Sequence, residues 1–452
     1  MLVKKGKFYK YIFLLILTLM TIFNGGNSNL FIQFNFIIVS IYFLFFIKKK
    51  NYLAELKYIF YYNKISIYLF FLFIGFLIFQ SIPLPSEWIK VLSPQKYDLL
   101  NKLEFSGNSH SISLSPTNSF FGILNYVTLF LFLIIFKILF NKKKDIFIFY
   151  FFLISLGAFA ASVAIYFYLI GNPDFMMLKN KISPGSATGF FINRTVFSCF
   201  LTLCFFSGIE YLKKIDDYKK DNTDKFFNKI YVRIFILLIT IGIITTFSKL
   251  GNFLFISIVI LYILQAFSIN DKKSKFFLIT LILIVLVDIL ILGFYFGSEK
   301  LLQRYLFLQN DIIEYLPSAE QSFLSRADIV KFALVVSKKF VFWGYGGGGF
   351  EYLFKINFEN LSTAYASHVH SDIIEFIGEF GLIGFTLILL SLLFSCIKKN
   401  FFSFKNILLL YLLLFILIFD FSFHIPLIQL LFILLLSMNY NKSYILRRKN
   451  NE

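Results

Sequence analysis

A run of about 18 apolar residues is long enough to cross a ~30 Å hydrocarbon layer as a helix, and such runs recur along almost the whole of this sequence. They fall near residues 9–24, 30–47, 65–83, 119–140, 146–170, 193–212, 231–248, 252–268, 276–297, 372–397, 406–421 and 425–439, twelve in all. In lipid every backbone polar group must bond internally, so these spans are helices. A porin-like barrel would instead show ten-residue alternating segments, and none is visible. The expected fold is therefore all-α: a polytopic integral membrane protein with about twelve transmembrane helices. Composition agrees, since only 15% of the residues are charged and 58% are hydrophobic, whereas a soluble domain carries roughly 25% charged residues.

The net charge of +19 would suggest nucleic acid on a soluble protein. Here the basic residues sit between apolar runs, at Lys48–Lys50, Lys142–Lys144, Lys213–Lys220, Lys272–Lys275, Lys398–Lys399 and Arg447–Lys449. They read as membrane anchors, and no nucleic-acid partner is expected. About two-thirds of the 44 Lys and Arg residues fall on that side, which the positive-inside rule places in the cytoplasm with both termini. An even number of spans follows. The basic, apolar N-terminus has no Ala-x-Ala site and reads as the first span rather than a signal peptide. Cys199 and Cys204 point about 140° apart on a helix, which does not suit a disulfide. With Cys396 they read as small buried hydrophobes, and no zinc spacing exists.

The opposite linkers are longer and poorer in charge. We divide the chain into helices 1–6 (residues 1–230), a core with a large external loop (231–397, loop 298–371) and two last helices with a tail (398–452). Within the loop, 322–340 reads as an amphipathic helix lying at the interface. Its stripe holds Phe323, Ala327, Val330, Leu334 and Ser337, with Arg326, Lys331 and Lys338 beside it.

Four polar clusters fall at the outer ends of spans. The first is Thr188–Thr195, where Arg194 sits at the mouth of a helix; a snorkelling anchor is the plain alternative. The second is the turn Thr246–Gly251, with Lys249. The third joins Gly344–Phe350, including Gly346 and Gly348, to His368, His370, Asp372, Glu375, Glu379 and Gly381–Gly384. No Lys-Ser/Thr follows those glycines, so they form no Walker loop; they let backbone approach a ligand or pack closely. Asp372, Glu375 and Glu379 share one helix face at i, i+3, i+7. Carboxylates inside a membrane helix are expensive and usually functional. Two histidines two apart without a clear third ligand favour a general base over a metal site. The fourth is Asp420–Pro426, where Asp420 and His424 at i, i+4 are placed to pair.

In this order the clusters resemble the O-antigen ligase and polymerase family of bacterial envelope glycosyltransferases. Thr188–Thr195 resembles that family's Gly-Thr-Phe-x-Asn-Arg-Asn segment, Thr246–Gly251 its Thr-x-Ser-Arg-Gly turn, and His368–Gly384 its His-Ala-His-Asn-Asp…Glu-x-Gly-Leu-x-Gly segment. Asp420–Pro426 resembles its Asp-Phe-x-Leu-His-Ile-Pro turn, and Ile82–Pro85 its first external loop. Lys249 stands where the family usually has Arg, and Lys cannot make the bidentate fork to a phosphate; Thr195 replaces the usual Asn.

The resemblance implies a GT-C-like helical fold in the bacterial inner membrane and transfer of a glycan from undecaprenyl pyrophosphate on the periplasmic face. The acceptor would be lipid A–core for a ligase, or a lipid-linked glycan for a polymerase. No cofactor, nucleotide sugar or essential metal is implied. Fixed cations must then absorb the charge of the leaving pyrophosphate. Arg326 and Lys249 are expected to hold it, with Arg194 as a third clamp and Arg favoured for its fork. His370 is the expected base, oriented by Asp372 or Glu375, with His368 second; His370→Ala and Arg326→Ala are each expected to abolish transfer. Gly346, Gly348, Asp420 and His424 complete the expected substrate-binding set. Ligase is slightly preferred to polymerase. A transporter or flippase using Asp288, Glu375 and Asp420 is the reading from another class, although no internal repeat stands out.

Overall fold

The computed structural model describes residues 2–104, 107–173, 185–218, 222–268, 326–357, 366–396 and 402–438. Among the described residues it is all-α apart from a short antiparallel pairing of Leu84–Pro85 (β1) with Ser109–His110 (β2). Sixteen α-helices are present among the described residues. Eight are long and apolar enough to cross a membrane: α2 Asn29–Ile47, α4 Lys64–Ser81, α7 Pro116–Leu139, α8 Lys143–Leu169, α9 Arg194–Tyr218, α10 Asn222–Thr245, α11 Lys249–Ser268 and α14 Asp372–Cys396. α15 Phe404–Phe419 and α16 Pro426–Ser437 are shorter and apolar, and α1 Leu2–Ile22 leads the chain. Each expected span coincides with one of these helices except 276–297, which lies outside the described residues together with Asp288.

Burial sorts the helices. The span of α9 is 94% buried and that of α2 only 28%, so α9 is the central post and α2 stands at the rim. α8, α10 and α11 pack directly around α9. Small residues let them close in: a Cβ at Gly157 of α8 would lie 2.4 Å from Cys204 Cβ on α9. Cys199 and Cys204 are free and buried there, as small hydrophobes. Rim side chains such as Ile37, Phe45 and Phe71 are exposed, the arrangement expected where lipid takes the place of water.

Two features depart from the sequence reading. A further helix, α3 Lys50–Tyr62, fills the linker after Lys48–Lys49. The amphipathic helix of the large loop, α12 Arg326–Lys339, turns a different face inward: Ile329, Ala333, Val336 and Ser337 are buried, while Ala327 and Leu334 are exposed. The expected stripe was assigned for an interfacial helix, but α12 packs on α14 and joins a small core with Tyr345, Phe350 and Phe354. Burial against protein selects its face, and Phe323 lies outside the described residues.

Candidate functional site

α14 is interrupted at Gly381, whose φ of 62° and ψ of −179° no helix accepts. The break leaves backbone groups to satisfy, and the glycine segment of the large loop satisfies them. Tyr345 N donates to Gly378 O (2.9 Å), Gly346 N to Glu379 O (3.0 Å) and Leu382 N to Val341 O (2.7 Å). Gln80 of α4 donates through Nε2 to the same Glu379 carbonyl (3.0 Å) and to Trp343 O. The fit is tight enough to demand glycine: a Cβ on Gly346 would lie 2.1 Å from Ser113 Oγ of the first loop. Gly346 and Gly348 thus serve close packing of backbone, one of the two roles expected of them.

The short segment of α14 before the break carries Asp372, Glu375 and Glu379, all buried. All three turn toward His424, in the Ser422–His424 turn between α15 Phe404–Phe419 and α16 Pro426–Ser437. His424 donates through Nδ1 to Asp372 Oδ1, and Phe423 N donates to Asp372 Oδ2 (2.7 Å). His424 Nε2 lies 3.7 Å from Glu375 Oε1 and 3.6 Å from Glu379 Oε2. Glu379 Oε1 accepts from Gly348 N at 2.6 Å. Phe376 stacks on the His424 ring at 4.2 Å. Burial lowers the pKa of His424, but Glu375 and Asp372 outweigh burial and raise it well above the ordinary value. The surrounding carboxylates therefore favour the protonated form of His424.

The pairing of Asp420 with His424 expected from their spacing is not made. The turn is a 3-10 helix rather than an α-helix, so i, i+4 does not bring the two together. Asp420 instead accepts from Ser422 Oγ, and its carbonyl accepts from Asp372 N (3.1 Å).

His368 and His370 are held differently. His368 donates through Nδ1 to Glu375 Oε1 (2.9 Å), Val369 N donates to Glu375 Oε2 (2.8 Å), and the imidazole stacks on Phe421 at 4.7 Å. Its side chain is 27% exposed, against 1% for Glu375. His370 adopts a left-handed φ of 60°. Its Nδ1 is buried without a hydrogen-bond partner among the described residues. Burial, the Arg326 guanidinium and His368 lower its pKa to about 3. Three of the chain's four histidines thus meet in one place. Atoms of His368, Glu375 and His424 lie within 4.8 Å of one another, a set able to hold a divalent ion. In this geometry Glu375 Oε1 is already engaged by His368.

Of the expected cations, Arg326 opens α12, and its charge acts on both His370 and Asp420. Arg194 and Lys249 each stand at the first residue of a helix, α9 and α11. Asn193 Oδ1 caps α9 by accepting from Thr195 N (2.7 Å) and Val196 N (3.3 Å), and Ser248 Oγ accepts from Gly251 N (3.2 Å) in α11. The two ends touch, since a Cβ on Gly251 would lie 2.1 Å from Ser198 Oγ. Cys199 of α9 is within hydrogen-bonding reach of Ser422. Helix N-termini of this kind attract anions.

Phe421, Phe376, Ser422 and Gln80 also shape the site and are not among its expected residues; aromatic and neutral polar side chains carry no signal in so aromatic a chain. A cleft of about 440 Å³ is lined by Phe376, which stacks on His424, and by Phe423, Phe70, Phe130, Ile388 and Leu417. It follows α7 from Tyr126 to Lys137, about 16 Å by helix rise.

Fold and site together define a polytopic helical membrane protein with a histidine–carboxylate centre at one end of its bundle. The family model described as O-antigen ligase matches residues 234–389, and that segment belongs to the O-antigen ligase and polymerase family. The match takes in Lys249, Arg326, both loop histidines and the three α14 carboxylates; Arg194, Asp420 and His424 lie outside it. No curated protein and no solved structure matches the chain.

Proposed function

We propose that the protein is a glycosyltransferase of the inner membrane that moves a glycan from undecaprenyl pyrophosphate to an acceptor sugar on the periplasmic face. The acceptor we assign is lipid A–core, which makes it an O-antigen ligase. The observation that carries this reading is the His368–Glu375 pair and the Arg326 charge at one end of the bundle, with an apolar cleft running from Phe376 toward Lys137.

The chemistry follows from the geometry. Glu375 holds the Nδ1 proton of His368, which leaves Nε2 to accept a proton, as in carboxylate–histidine bases generally. The acceptor hydroxyl loses its proton to His368 Nε2 as its oxygen attacks the anomeric carbon. The bond from that carbon to the pyrophosphate oxygen breaks, and undecaprenyl pyrophosphate leaves. Arg326, Lys249 and Arg194 take up the leaving charge, the first through the guanidinium fork. Lys249 and Arg194 act with the N-termini they occupy. The polyprenyl tail lies in the cleft between α4, α7, α14 and α15. His370, poorly basic where it sits, lines the site as an uncharged acceptor, so we assign the base to His368 in its place. The His368–Glu375 bond removes the need for an ion, and chelation by EDTA is expected to leave transfer unchanged. Loss of transfer restored by a divalent ion would turn His368, Glu375 and His424 into metal ligands.

The deciding experiment separates envelope glycans on a gel from a strain deleted for this gene and complemented. In the deleted strain, long glycan held on the carrier with none on lipid A–core is the expected result, and the wild-type gene should restore transfer. Single repeats reaching the core without chain growth would make the protein a polymerase. An unchanged profile would refute both readings.

A further inference from the structure

At the other end of α9, Glu210 is buried sixteen residues from Arg194, about 24 Å along the helix. Lys214 Nζ donates to its Oε2 (2.7 Å) and Tyr262 OH to its Oε1 (3.0 Å), with Lys213 Nζ 3.7 Å from Oε1. Lys405 adds a third cation whose charge acts on Glu210, and it caps α16 by donating to Leu435 O (3.0 Å) and Met438 O (3.4 Å). Three lysines thus surround one carboxylate among the described residues. Tyr150 of α8 reaches into the same cluster: Lys214 Nζ lies 4.9 Å from its ring centroid, and the Glu210 charge acts on its hydroxyl. That hydroxyl is buried, and Tyr150 as a whole is 0% exposed; it has no hydrogen-bond partner among the described residues. A buried polar group without a partner calls for one.

We propose that this cluster binds the phosphate of an anionic glycerophospholipid in the leaflet at that end of the bundle. Lys213 and Lys214 hold the phosphate, and the Tyr150 hydroxyl donates to it. The side chains of Lys213 and Lys214 are 29% and 40% exposed, so a headgroup can reach them from the bundle edge. Lys213 also donates to Gln265 Oε1 (2.8 Å). Leu264 and Phe267, either side of Gln265, are exposed apolar side chains placed for an acyl chain. Basic pockets between membrane helices bind such headgroups. The site is separate from the transfer chemistry and stands or falls without it.

The test is native mass spectrometry of the delipidated full chain offered phosphatidylglycerol, phosphatidylethanolamine or inorganic phosphate. One phosphatidylglycerol should be retained in preference to phosphatidylethanolamine. The double variant Lys213→Gln/Lys214→Gln should weaken retention about tenfold or more, as loss of charge-assisted contacts requires. Tyr150→Phe, which removes one oxygen and keeps the ring, should weaken it about threefold, the scale of one hydrogen bond. Equal retention by the wild type and both variants overturns the site. Equal retention of the two lipids removes its anionic specificity, and inorganic phosphate competing at millimolar concentration removes the lipid as its ligand.

Discussion

A single residue, Val369, separates His368 from His370, yet their surroundings divide the work between them. His368 lies on Phe421 and shares its proton with Glu375. His370 is buried beside Arg326 with its pKa lowered to about 3. His368→Ala should lower kcat by roughly 10²–10⁴ with little change in KM, the usual worth of a general base; steady-state assays in proteoliposomes check this. The sign of the His370 shift gives a pH test. Its neutral form persists down to about pH 3, so His370 carries no protonation change through the ordinary histidine value of 6.5. His370→Gln should therefore leave the shape of the pH–rate profile unchanged between those limits. An acid limb that disappears in this variant would return the base to His370. The opposite sign holds at His424, whose raised pKa keeps it protonated through 6.5. Its charge is lost only as pH rises past that value, so its contribution falls at the alkaline end.

Backbone decides more than side chains at the level of elements. The break in α14 is where the glycine segment docks, and a Cβ on Gly381 would meet Phe342 O at 2.2 Å in a backbone with φ of 62°. Gly381→Ala should cost about 1–3 kcal/mol in strain alone, seen as a lower melting temperature and reduced membrane yield. The first loop holds the other side of the same segment. Lys96, buried, donates to Ser111 O (2.5 Å) and Ser113 O (2.6 Å), and Leu114 N donates to Tyr345 O (2.9 Å). Lys96→Met keeps the bulk but strands those carbonyls, at a cost of about 1–3 kcal/mol. Melting curves should register it, and transfer should fall through misplacement of Glu379. Much of this was legible in the chain. The i, i+3, i+7 carboxylates do share a face, because that spacing depends on helix geometry alone. The partner of His424 was not, because a 3-10 turn and a helix break have no period to read. The inward face of α12 was missed for a related reason: a short helix with apolar residues on two sides takes its face from whatever it packs against.

At the scale of the whole molecule, one deeply buried helix connects two chemically opposite ends. At one end α9 begins beside the histidine–carboxylate cluster; at the other it holds Glu210 among lysines. A broken helix at a polar centre is also the mark of many transporters. Here, however, the break is closed by loop backbone, with Tyr345 N and Gly346 N donating to Gly378 O and Glu379 O. The span register came directly from hydropathy, since crossing lipid demands length and apolarity and little else. The packing order around α9 did not, because most of the spans carry apolar residues on every side. The central claim is glycosyl transfer from a polyprenyl pyrophosphate donor with His368 and Glu375 as its proton-accepting pair. Its most direct test reconstitutes the purified protein in liposomes with an undecaprenyl-pyrophosphate-linked glycan and lipid A–core, and follows acceptor elongation with release of undecaprenyl pyrophosphate. Transfer by the wild type, reduced at least 100-fold in both His368→Ala and Glu375→Gln at unchanged folded yield, is the predicted result on the usual scale for a lost general base; transfer at wild-type rate in both variants would contradict it.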